Sequence, residues 1–274
     1  MENLVYHYTT LEAMISIIGS DVCMWATRYD HLNDPHEQIW AKDIIIDYCY
    51  KNYEMKSLTL EEFSVIYAKF SYILSFCDIP DYRNMWRLYC NDGLGVCLAF
   101  DGDLLEEISM KNSFNDPSHC NDKYRHVYYS SKNEISNAVE RLKNEEVFKR
   151  LTSELEEQFM NMCPFIKDDD FDIENEVRYA RIKGNYKCDV FLNPDNVREI
   201  KTKGHEDKEG VKYRIRGNKE IIPYIEIHFP KETLKKVIVG YQYDFEDAKL
   251  LINSHLKRYS GEYDHVHIEP SLLK

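Results

Sequence analysis

The chain has 274 residues, 43% of them apolar, with 21 Tyr, 12 Phe and 3 Trp, which is enough for a packed core as one domain spanning 1–274. That composition excludes a disordered or fibrous chain. A formal charge of −13 excludes nucleic-acid binding through a broad basic surface, although residues 198–220 hold eight Lys and Arg against five acids, so a local basic groove stays open.

The start, Met1-Glu2-Asn3, is acidic and polar and runs at once into strand-like sequence, unlike a secretion signal. No apolar run approaches the ~20 residues that span a bilayer. Eight cysteines are scattered without a C-x-x-C pair, as expected of reduced thiols in a cytoplasmic protein.

Leu4–Tyr8 reads as a first strand. Thr9-Thr10-Leu11-Glu12 then has the form of a capping box with Thr9 as N-cap, and Leu11, Met14, Ile15 and Ile18 give the following helix its apolar face until Gly19 stops it. Val22–Ala26 is a second strand. Asn33-Asp34-Pro35 is a turn into a helix carrying Ile39, Trp40 and Ile44, and Thr59-Leu60-Glu61-Glu62 caps another. Tyr72–Cys77 is a strand, Met85–Tyr89 a short helical turn, Asn91-Asp92-Gly93 a turn and Gly95–Phe100 a buried strand. Tyr124–Ser130 is aromatic and extended. Residues 134–160 read as a charged helical excursion packed on the sheet.

Glu176–Ile182 alternates as a strand, and a polar, basic connection with Gly204 and Gly210 follows. Lys212–Arg216 and Ile221–Phe229 flank the Gly217-Asn218 turn of a hairpin, where Pro223 signals an edge strand or bulge. Lys236–Tyr241, a helix over 245–256 and Val266–Glu269 complete the chain. Helices inserted between strands without strict βαβ alternation predict an α+β fold with a mixed sheet.

Among chemistry-bearing residues, Glu174-Asn175-Glu176-Val177-Arg178 stands out. If extended conformation begins at 174, alternation puts Glu174, Glu176 and Arg178 on one face. Two carboxylates beside a guanidinium can grip hydroxyls and stabilise developing positive charge; a structural ion pair on a solvated sheet face is the plainer alternative. His7 enters a capped helix from the first strand, where a satisfied core histidine is the commoner role. Trp86-Arg87 before a glycine turn can hold a planar ligand by stacking, or simply pack and pair beneath the sheet. Neither His31/His36 nor His265/His267 has the spacing of a known metal site, so no metal is expected.

Taken in order, His7-Tyr8-Thr9, Asn33–Glu37, Trp86–Val96, Glu174–Arg178 and Pro223–Ile227 resemble the pattern of the bacterial family DUF2971, which carries no activity with it. A second, weaker resemblance is to ADP-ribosyltransferases: a first-strand His before a helix, central aromatic or Ser residues and a late Glu-x-Glu. It implies a mostly antiparallel split β-sheet core that binds NAD, with Glu176 and Glu174 as catalytic residues. His7, Tyr8, Thr9, Ser75, Trp86 and Arg87 are then the candidate NAD-binding residues. Glu176 would bond the ribose 2′-hydroxyl and stabilise an oxocarbenium-like transition state, and Glu174 would orient a protein or nucleic-acid acceptor. Ser75 stands where the family has Ser-Thr-Ser, a departure from its pattern. The implied activity is ADP-ribose transfer or NAD hydrolysis, as in a toxin or phage-defence effector. A nucleic-acid-processing enzyme using Glu174, Glu176 and His7, and a non-catalytic nucleotide- or peptide-sensing module, are the alternatives.

Overall fold

The computed structural model describes residues 2–34, 71–115, 120–131, 162–183, 185–192, 198–205, 210–217 and 219–273. Its centre is a ten-stranded open sheet in which every pairing is antiparallel except that of β13 (Leu234–Val239) with β14 (His267–Pro270). Strand β3 (Ser71–Cys77) organises it. Along one edge β3 pairs for its whole length with β8 (Glu176–Lys183), from Ser71↔Ile182 to Cys77↔Glu176, and β8 in turn pairs with β5 (Cys120–His126).

The other edge of β3 is shared. Its first half meets β2 (Val22–Arg28) at Arg28↔Tyr72 and Thr27↔Ile73, whereas its last residue meets β1 (Leu4–Thr9) at Tyr6↔Cys77. Between those contacts the sheet forks. One wing runs through β2 to β12 (Glu220–Phe229) and β11 (Lys212–Arg216), and the other runs from β1 through β4 (Val96–Asp101) to β13 and β14.

Alternation sorts side chains onto two faces. Val5, Met24, Leu74, Phe76, Leu98, Val177 and Ile227 share one apolar core with Leu11 and Met14 of α1 (Leu11–Ile17) and Ile252 of the C-terminal helix, α4 (Phe245–Leu256). On the other face Tyr6, Tyr8, Cys97 and Ile238 pack beneath Met85 and Trp86 of α2 (Arg83–Tyr89). No helix among the described residues is long and apolar enough to cross a membrane.

Several details differ from the sequence reading. The cap of α1 is Thr10, whose Oγ1 accepts from Ala13 N at 3.1 Å, because Thr9 is held in the ladder opposite Val96. Strand β8 begins at Glu176, as its alternation predicts, so the extended conformation does not reach 174. Residues Asp169–Glu174 form a 3-10 turn, and Asn175 takes the left-handed conformation at φ 42°. Helix α3 (Gly102–Asn115) has no counterpart in the sequence reading; among its described side chains Leu105 and Ser109 are buried and Ile108 packs partly buried against the core. The basic connection is a two-stranded antiparallel ribbon, β9 (Asn185–Leu192) with β10 (Arg198–His205). Pro223 lies in regular register with Tyr213, one residue outside the segment of β12 that pairs with β2, so it removes no bond from that inner ladder. The helices expected after Asn33 and at 59, and the excursion at 134–160, lie outside the described residues.

Candidate functional site

The fork opens a cleft of about 690 Å³. His7, Tyr8, Thr9, Ser75, Glu174 and Glu176 all line it. They arrive by different routes. Glu176 and Arg178 share a face of β8, opposite Cys77 and Ser75 of β3. Glu174 reaches the same spot through the turn at Asn175 instead of by strand alternation. Lys167, from the short strand β7 (Ile166–Asp168), completes the cluster.

The cluster is a buried network of alternating charge. Arg178 donates from Nε to Oε1 and from Nη2 to Oε2 of Glu176, both at 2.7 Å, and from Nη1 to the Pro164 carbonyl at 2.7 Å. Lys167 Nζ donates to Glu174 at 2.6 Å and lies 3.4 Å from Glu176. Burial pushes the Glu176 carboxyl up, but the Arg178 and Lys167 charges and hydrogen bonds from Arg178 and Ser75 outweigh it and hold the pKa down at about 2. Glu174 goes the other way: burial raises its pKa even against Lys167. Two carboxylates side by side thus have different jobs available, one a fixed anion and the other a group able to take a proton.

His7 sits in the fork itself. Its Nδ1 is 3.0 Å from the Ser75 carbonyl, which can only accept, so Nδ1 carries the hydrogen. At the point where β1 parts from β3, that ring satisfies a carbonyl by the fork. Burial lowers the His7 pKa, keeping the ring neutral with Nε2 as an acceptor. Tyr8 is committed to structure: its hydroxyl donates to Ile79 O at 3.1 Å and accepts from Tyr82 N at 2.8 Å.

Trp86 and Arg87 do not join the lining. On α2 the side chains of Met85, Leu88 and Tyr89 face the cleft at i, i+3 and i+4, which turns the two residues between them away. Trp86 is fully buried, edge-on to Tyr8 at 5.2 Å, with Nε1 donating to Asp81 at 2.8 Å. Arg87 is largely exposed and lies 3.5 Å from Asp92.

The opposite wall is not among the site residues that the sequence singles out. Trp25 of β2 lies against Tyr224 with ring centroids 4.5 Å apart, and the Arg214 guanidinium covers it at 5.8 Å. Arg214 Nη2 donates to Thr27 Oγ1 at 2.8 Å, while its buried Nε makes no hydrogen bond among the described residues. Burial and the neighbouring Arg216 lower its pKa, so an anion here would relieve both. Arg216 donates to Asn33 at 2.7 Å, bringing part of the Asn33–Glu37 motif to the cleft; Pro35–Glu37 lie outside the described residues. The sequence signal for this wall was the alternation Lys212-x-Arg214-x-Arg216, which puts three cations on one face of a strand. Lys167 had no such signal.

Comparison with curated proteins finds no match, and comparison with solved structures finds none either. The family description Protein of unknown function (DUF2971) matches residues 85–179, a span from α2 into β8 that holds the Trp86–Val96 segment, Lys167 and the Glu174–Arg178 cluster. Over residues 85–179, about a third of its length, the chain is similar to DUF2971.

Proposed function

We propose that the fork cleft binds NAD and that the protein transfers its ADP-ribose or hydrolyses it. The observation that carries this reading is the meeting of His7, Ser75, Glu174 and Glu176, from separate segments, on one cleft. Its volume of about 690 Å³ lies within the range of ~300–1,000 Å³ that ligand sites occupy. Arg214 and, beside it, the Glu220-paired Arg216 supply charge for a diphosphate, half-exposed Trp25 an apolar edge, and His7 Nε2 an acceptor for a ribose hydroxyl. Glu176 stays ionised at any physiological pH and opposes the positive charge that develops as the nicotinamide–ribose bond breaks. Glu174, with its raised pKa, is the group to take a proton from an acceptor hydroxyl or water. A metal-dependent nucleic-acid enzyme using the same carboxylates would have to exchange Lys167 and Arg178 for its cation.

The test is direct. NAD incubated with the protein should release nicotinamide, and Glu176→Gln should lower the rate by about 10²–10³-fold, the usual cost of losing one electrostatic stabiliser. If the wild type leaves NAD intact, with or without protein and nucleic-acid acceptors, the enzymatic reading fails. One observation favours a second reading, a non-catalytic nucleotide sensor: both oxygens of Glu176 are already held by Arg178. NAD binding with no turnover would select it.

A further inference from the structure

On the same face of the β2–β12 wing, Cys23, Glu226 and His228 bring one sulfur, one oxygen and one nitrogen together with all three donor atoms within 4.8 Å of one another. We propose that this trio is a binding site for a divalent cation of the zinc class. Cys23 and His228 are direct cross-strand partners, and Glu226 projects from the same face two residues along β12. The positions therefore rest on paired strands, which hold ligands more rigidly than loops do.

The distances suit a tetrahedral ion. His228 Nε2 lies 3.9 Å from Cys23 Sγ and 3.9 Å from a Glu226 oxygen. Bonds of ~2.0 Å to nitrogen and oxygen and ~2.3 Å to sulfur separate tetrahedral donors by about 3.3–3.6 Å, so small side-chain rotations close the site. The imidazole is already oriented for the task. Its Nδ1 is 2.7 Å from Asp21 Oδ2, the carboxylate–histidine arrangement that frees Nε2 for a metal and raises its basicity. Mixed thiolate, imidazole and carboxylate donors favour zinc over the hard, all-oxygen cations. Lys212 Nζ, 2.6 Å from Glu226 and half-exposed, occupies the competing position and can swing into solvent. Three protein ligands leave one tetrahedral position for water or a bound molecule, and Cys23 lies on the cleft wall.

The full-length protein, stripped with a chelator, should bind Zn²⁺ in a calorimeter. With Co²⁺ it should give a thiolate charge-transfer band and the d–d absorption of a four-coordinate ion. Cys23→Ser should abolish the charge-transfer band and His228→Ala the binding. Asp21→Asn, which leaves all three ligands in place, should weaken affinity by about 10–100-fold. Lys212→Ala should tighten it. The proposal is overturned if the wild type takes up neither ion, if the cobalt spectrum lacks a thiolate band, or if Cys23→Ser/His228→Ala binds as the wild type does. None of these readouts involves nicotinamide release, so this site and the NAD reading stand or fall separately.

Discussion

At the scale of single residues, the contrast between Glu174 and Glu176 is the chief result. Arg178, itself only 1% exposed, clamps Glu176 through two bonds, and that geometry has a measurable consequence for stability. The Glu176 pKa falls from its ordinary value to about 2 on folding, so its ionised form stabilises the fold. Because the folded value is the lower one, this contribution is complete above pH 4.5 and is lost as pH drops towards 2. Glu174, whose folded pKa is raised, has the opposite sign: it costs stability at neutral pH, and its protonation relieves that cost. Denaturant melts should therefore reveal a loss of stability between about pH 4.5 and 2 that is larger in the wild type than in Glu176→Gln. An identical acid profile in the two proteins would mean that the clamp does not hold Glu176 ionised. The acidity of Glu176 could not be read from the sequence, because Lys167 and the Pro164 carbonyl join the network from a separate segment.

At the scale of elements, short periodic segments were the legible ones. The helix expected over 245–256 forms as α4, Phe245–Leu256, and β11 and β12 pair across their turn as a hairpin. Their signals, a 3.6-residue stripe and a Gly-Asn turn, are local. Helix α3 leaves a weak mark in the sequence because few of its described residues are apolar and inward, and β9–β10 because charge disguises its alternation. Helix α2 was foreseen, but which of its residues face the cleft was not, since that depends on how it seats against β1. Its packing separates a structural tryptophan from a ligand-binding one. Trp86→Phe keeps a ring against Tyr8 and loses the 2.8 Å bond to Asp81, so it should cost about 1–2 kcal/mol in stability and leave NAD affinity unchanged. Tenfold weaker NAD binding in a fully folded Trp86→Phe would put this tryptophan back into the site.

At the scale of the whole molecule, the proposed function depends on where the sheet divides. An α+β fold with a mixed sheet follows from the sequence pattern; the fork does not. It arises because β1 and β2 compete for one edge of β3, roughly seventy and forty-five residues further along the chain, and pairing at that distance leaves no mark in local periodicity. The fork draws His7 and Ser75 together and opens the cleft. In a chain of net charge −13 it also sets Arg214 and Arg216, the latter paired with Glu220, across from Lys167 and Arg178, whose charges Glu174 and Glu176 balance. Under the proposed reading, Arg214, whose buried Nε makes no hydrogen bond among the described residues, is the cation that meets the dinucleotide's charge.

The most direct test of that claim is a calorimetric titration of NAD into the wild type, His7→Ala and Arg214→Ala. The account predicts one site per chain in the wild type. It also predicts about 10–100-fold weaker binding in Arg214→Ala, the equivalent of losing about 1.5–3 kcal/mol of charged hydrogen bonding, and a clear weakening in His7→Ala. Absence of NAD binding to the wild type, or equal affinity in all three folded proteins, would contradict it.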